Sequence, residues 1–284
     1  MSGGSGRPVK EEVIRAEVGW LDFPWRELWS YRDLFWVLVR RDFVARYKQS
    51  ILGPLWFVVQ PLALTLLFTV VFGHFGKLST DGAPKPAFYM GGLVLWNYFL
   101  TLFTGTSNVL AGNSHLFSKV YFPRLVLPLA GALSQTLQLL LNFALFLVFY
   151  AASGAYHWGD AVRGLLLFPF LAAYVAAFSL GAGLVASACS ARYRDFSYLS
   201  TFATQGLMFA TPVLFPLSSV PEAWRPLVAL NPLAFAVEAF KASWFGLPMP
   251  SAWVGAVGVA GMALVFLGGL LVFNRVEKNF VDTI

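Results

Sequence analysis

The side chains that do chemistry are sparse in this 284-residue sequence, and their spacing rules out most of what they could do. His74, His115 and His157 are the natural metal ligands, but each falls in a different connection between apolar stretches, so no metal site is expected. A single cysteine, Cys189, permits no internal disulfide and leaves the redox compartment open. A phosphate-cradling loop needs the spacing G-x-x-x-x-G-K-[ST]. The nearest approach, Gly73-His-Phe-Gly76-Lys77, is too short, so this chain binds no nucleotide through a P-loop of its own. No catalytic residue is expected.

Three polar blocks stand out instead. The first runs Arg40-Arg-Asp-Phe-Val-Ala-Arg46-Tyr47-Lys48-Gln49-Ser50-Ile-Leu-Gly53-Pro54-Leu-Trp56 and closes on Gln60-Pro61. The second is Asn113-Ser-His-Leu-Phe117-Ser-Lys119-Val-Tyr-Phe122-Pro123-Arg124, and the third is Arg192-Tyr-Arg194-Asp195.

The elements that must carry these blocks follow from composition and charge. Hydrophobic residues make up 58% of the chain and charged residues only 12%, with a mean hydropathy of +0.67. Soluble domains carry about 45–50% apolar and about 25% charged residues, so this chain belongs in lipid. Charge-free runs cover 49–76, 86–118, 125–159, 164–191, 196–221 and 242–274. Each exceeds the roughly 20 residues a helix needs to cross about 30 Å of hydrocarbon. A charge at mid-bilayer costs about 2.5–3.5 kcal/mol, which is why such runs mark spans. The expected architecture is an all-α integral membrane protein with six spans, about 54–76, 88–110, 125–151, 164–189, 197–216 and 252–273. Residues 1–21 form a flexible N-terminal segment, 22–53 an amphipathic interface helix region, and 54–284 the six-helix domain. Met1–Gly6 is set aside, and no secretory signal peptide is expected, because the first apolar span starts only near Pro54.

Orientation comes from Lys and Arg. Fifteen fall in residues 1–48, the second-to-third and fourth-to-fifth connections and the C-terminal tail, against five in the remaining connections. Both termini are therefore expected in the cytoplasm, and the net charge of +6 is a topology signal rather than a nucleic-acid footprint. The spans hold no Asp, Glu, Lys, Arg or His apart from His74 near an end. Ion-coupled transporters need such groups in their spans, so energy for uphill movement would come from a partner. Trp25, Trp29, Trp36, Val39, Phe43 and Tyr47 share one helical face, with Arg26, Asp33, Arg41 and Lys48 off it and Arg32 inside the stripe. Such a helix lies in the membrane interface. Ser30-x-x-Asp33 also fits a cap, so one helix or two shorter ones satisfy the pattern. Residues 218–250, broken by Pro226 and Pro232, read as an external segment of short helices dipping partway into the membrane.

The three blocks resemble those of permease subunits of ABC exporters for O-antigen, teichoic acid and related polysaccharides, an ABC type-2 permease family. The resemblance runs from about Trp25 to Lys278. It implies a homodimer working with two copies of a cytoplasmic ATP-binding subunit, which holds the ATP and Mg, so no cofactor sits on this chain. It implies a bacterial inner-membrane exporter of undecaprenyl-linked polysaccharide. The loop Asn113–Arg124 would be a coupling helix, with Lys119 and Arg124 as polar anchors on the ATPase and Phe117 and Phe122 as the plug, beside Pro123. Arg192, Arg194 and Asp195 would make a second contact. Arg46, Tyr47, Lys48 and Gln49 would stand at the cytoplasmic mouth and admit the lipid head group, and 218–250 would form external gate helices.

Aromatic residues reach 17%. Tyr198, Phe202, Gln205 and Phe209 share a helix face, and Phe88, Tyr89 and Trp96 mark the second span. Sugars stack on rings through their C–H faces, so an aromatic, uncharged path suits a sliding polysaccharide. An interfacial belt accounts equally for Phe88, Tyr89 and Trp96, and helix packing for Phe202 and Phe209. Gly181, Gly183 and the Gly255/Gly258/Gly261 series would let helices approach closely. Two alternatives remain: an ABC type-2 exporter of drugs or other lipids, and a membrane-embedded lipid- or sugar-modifying enzyme. The enzyme would need convergent acids, and the external connections offer only Asp81, Asp160, Glu222 and Glu238 with scattered bases.

Overall fold

The computed structural model describes residues 25–47, 55–113, 122–154, 157–193 and 195–279; among them every regular element is a helix. The interface region takes the two-helix form, α1 (Trp25–Ser30) and α2 (Arg32–Tyr47), with Asp33 in the first turn of α2. Then come α3 (Trp56–Phe75), whose last turns are wound as π-helix, α4 (Lys85–Ser107) and the single turn α5 (Val109–Gly112). They are followed by α6 (Val126–Ala152), α7 (Trp158–Arg192) and α8 (Asp195–Ala210). The last three are α9 (Arg225–Ala229), α10 (Pro232–Phe245) and α11 (Ala252–Asn279).

Five of these, α3, α4, α6, α7 and α11, are long and apolar enough to cross a membrane. The fifth expected span differs: α8 has 16 residues, which cover about 24 Å, short of about 30 Å of hydrocarbon. It stops at Ala210 because Pro212 lacks an amide hydrogen and disfavours helical geometry at Thr211.

α4 is the central post. Most of its side chains are buried, and α6, α7 and α10 pack around it. The crossing of α7 and α11 has no room for a side chain: a Cβ at Gly181 would meet the Phe266 backbone, and one at Gly269 would meet the Gly181 carbonyl. In lipid, where apolar surface gives no hydrophobic drive between helices, such close contact supplies the attraction. Gly183 likewise admits Thr106 of α4, whose Cβ lies 2.6 Å from where a glycine substituent would stand.

The segment 218–250 is only partly peripheral. A short 3₁₀ turn, Leu217–Ser219, and α9 lie on the outside, but α10 is core. Asn231 caps it by accepting from the Leu233 amide at 3.0 Å, Pro232 opens the first turn, and Gly246 closes it at φ 65°. Phe240 and Trp244 join a cluster with Phe143, Phe146, Tyr150 and Phe168, in which Phe143 and Phe168 stack at 3.8 Å between ring centroids. A second apolar cluster ties the opposite ends of the helices together: Leu38 of α2, Leu110 of α5, Val126 of α6, Leu184 of α7 and Phe273 of α11.

Candidate functional site

At the end of the bundle that carries the basic blocks, Asn113 follows α5 and its amide donates to the Val109 carbonyl at 3.0 Å. Arg41 of α2 clasps Asp42 through two hydrogen bonds of 2.9 and 3.0 Å. Arg41, Asp42 and Asn113 line a small cavity of about 100 Å³ with Thr101, Gly105 and Gln135. Arg46 and Tyr47 occupy the last turn of α2, and Arg192 the last turn of α7. Asp195 is exposed in the first turn of α8, where the helix dipole favours a carboxylate. Phe117, Lys119, Arg194, Lys48 and Gln49 lie outside the described residues.

Two groups of the expected site residues lie inside the chain. Phe122 and Arg124, expected to reach a partner subunit, are both only 7% exposed, and Pro123 between them is buried as well. Phe122 packs in the inner cluster with Leu38 and Phe273, so this end of the loop anchors to the chain itself. Phe88, Tyr89 and Trp96 are also inside the chain's own core. Their edge-on and tilted contacts with Tyr89, Phe68 and Phe99 are packing contacts. The other three aromatic candidates are open: Tyr198, Phe202 and Phe209 are 79%, 74% and 63% exposed along one side of α8.

At the opposite end, sequence reasoning missed Lys241. This residue of α10 is 1% exposed. Its ammonium donates to the Pro212 carbonyl at 2.5 Å and the Val213 carbonyl at 3.1 Å, and sits 3.6 Å above the Phe88 ring. It thereby satisfies the carbonyls that the early end of α8 leaves open, and the ring face adds a cation–π contact. Burial pulls Lys241 down to about 7, while the charges of Glu238 and Asp81 push back. Burial moves Glu238 upward, opposed by Lys241 and a backbone hydrogen bond from Leu217. The one available signal was the i, i+3 pair Glu238/Lys241 inside an otherwise apolar helix.

Nearby, Ser218 donates to Asp81 at 2.6 Å, and Arg225 donates to the carbonyls of Ser218 and Val220 at 3.0 and 2.9 Å. These residues border an outer cleft of about 470 Å³ with Glu222, Glu238 and Trp253. Among the described residues, no three His, Cys, Asp or Glu side chains come close enough to share a metal ion.

Residues 33–245 match the family model described as ABC-2 type transporter. The chain is 30% identical over 267 residues to an O-antigen export system permease protein RfbA of Myxococcus xanthus, covering 91% of this chain and 98% of that protein. An O-antigen export system permease protein RfbA of Klebsiella pneumoniae is 25% identical, over 88% of this chain and 94% of its own. The capsule polysaccharide export inner-membrane protein CtrC of Neisseria meningitidis serogroup A is 23% identical, over 74% and 78%.

Proposed function

The chain belongs to the ABC-2 type transporter family, and from that premise we propose that it is the permease subunit of an exporter carrying undecaprenyl-linked polysaccharide, O-antigen or a similar polymer, from the cytoplasm to the outer side of the inner membrane. It is a transporter and not an enzyme. The observation that carries this reading is the similarity to the Myxococcus protein, which extends over 91% of this chain and 98% of that one.

Two copies of the chain would pair with two copies of a cytoplasmic ATP-binding subunit, which binds the ATP and Mg. Both termini face the cytoplasm in this arrangement, as the Lys and Arg distribution supports. The sixth crossing would be completed by α8 together with the Thr211–Phe215 turn. ATP-driven closure would push on the loop that contains Lys119, on Arg192, Arg194 and Asp195, and on the interface helices. Phe122, held in the inner cluster, and the buried Arg124 would transmit that push into α2, α6 and α11. Arg46 to Gln49 would admit the lipid head group, and Tyr198, Phe202 and Phe209 would face the path or the second copy. A moving outer gate would involve the Leu217–Ser219 turn and α9; α10 is fixed by its aromatic contacts.

Depletion of the protein, followed by sizing of lipid-linked glycans from the inner membrane, tests the reading. Long undecaprenyl-linked polymer should accumulate inside while surface polysaccharide is lost. An unchanged glycan profile would reject it.

A further inference from the structure

A groove of about 630 Å³ runs between α3, α4 and α6, within the range of about 300–1,000 Å³ of small-molecule sites. Thr101, Thr104 and Gly105 line it from one stripe of α4, and Asn108 from just past the helix end. Gln135 and Gln138 line it from α6, and Phe57 of α3 adds a ring. Among the described residues, no charged side chain borders it. It adjoins the small cavity of Arg41, Asp42 and Asn113, which shares Thr101, Gly105 and Gln135 with it. Gln135 and Gln138 lie about 14 and 18 Å along α6 from Val126 at a rise of about 1.5 Å per residue, well inside the span.

Amides and hydroxyls at that depth are badly served by acyl chains, which offer no hydrogen-bond partner. The internal bonding leaves acceptors in hand. Thr101 donates to the Asn97 carbonyl at 2.8 Å, keeping its oxygen lone pairs. Asn108 donates from its amide to the Thr104 carbonyl at 3.0 Å, keeping its side-chain carbonyl. A lining that is mostly apolar, with Phe57 and Leu100, but dotted with hydroxyls and amides suits a neutral ligand that carries both C–H faces and hydroxyl groups.

We propose that this groove is a wet lane that holds the hydroxylated sugar residues of the transported glycan inside the membrane. The assignment rests on the exporter reading above and adds to it a site on the α3–α4–α6 face, apart from the exposed rings of α8.

The test uses the complete transporter in inside-out membrane vesicles, with Cys189→Ser as background. Thr104→Cys and Gln138→Cys are challenged with a charged, membrane-impermeant methanethiosulfonate reagent. Leu140→Cys, on the opposite, half-exposed side of α6, is the control. Modification at 104 and 138 but not at 140 is expected. Equal inertness at all three positions means that lipid or a second copy of the chain fills the groove, and overturns the proposal. The double variant Thr104→Val/Gln138→Leu removes acceptors at nearly constant volume. At wild-type membrane abundance it should export surface polysaccharide roughly tenfold less, the effect of a few lost hydrogen bonds. Normal export by that variant rejects the glycan assignment while leaving the exporter reading intact. The depletion experiment decides the exporter reading separately.

Discussion

Lys241 carries a testable consequence at the scale of one side chain. It is nearly inaccessible, bonded to two carbonyls and set over the Phe88 ring, with Glu238 one helical turn away. Lys241→Met would strand those carbonyls; leaving buried acceptors without their donor costs about 1–3 kcal/mol. The folded pKa of about 7 lies below the ordinary lysine value of about 10.4, so between them the unfolded chain binds more protons and stability rises with pH. Thermal unfolding in detergent should therefore show the wild-type advantage over Lys241→Met widening from pH 7.5 to 9.5. A gap constant with pH would refute the depressed titration. The Glu238/Lys241 spacing was the one hint of this lysine's place. Such a pair between apolar residues also fits a helix surface, and only the premature stop of α8 creates the carbonyls that the lysine fills.

Among the helices, the Gly181/Gly269 crossing gives a sharp contrast. A Cβ at 269 would collide with the backbone of α7, whereas Gly268, the next residue, has open space. Gly269→Ala should cost about 1–3 kcal/mol, as overpacking does, and Gly268→Ala should be neutral. Detergent melts of the two variants check this, and equal melting would show that the helices do not cross there. The sequence exposed the elements far better than their contacts. Charge-free runs place α3, α4, α6, α7 and α11 within a few residues, since hydrocarbon penalises charge along a whole span. Gly181, Gly183 and Gly258 were legible as close-approach points, but Gly269, which meets Gly181, was not, because helix rotation is fixed by tertiary packing. The same blindness extends to the aromatic residues: Phe88, Tyr89 and Trp96 share their composition with lining residues, and only the packing shows that they face the chain's own core.

For the whole molecule, the exposed ring series of α8 sets the question of assembly. Three large rings on one short helix make an apolar face for lipid or for a second copy of the chain. In a Cys189→Ser background, Phe202→Cys should form a covalent dimer in native membranes under mild oxidation. Absence of the dimer at 202, and equally at 198 and 209, would mean that this face meets lipid. The way α4 is enclosed bears on how the protein is made. It is the least apolar of the five long helices, with a mean hydropathy of 1.2 against 2.4 for α11, yet 72% of its apolar window is buried inside the chain against 17% for α11. A nascent α4 leaves the ribosome before α6, α7 and α10 exist to surround it, and by itself it partitions weakly into lipid. The insertion machinery must shelter it until those helices arrive. Polar substitutions along α4 should thus surface as failures of biogenesis, with degradation of newly made chains, before they surface as failures of transport.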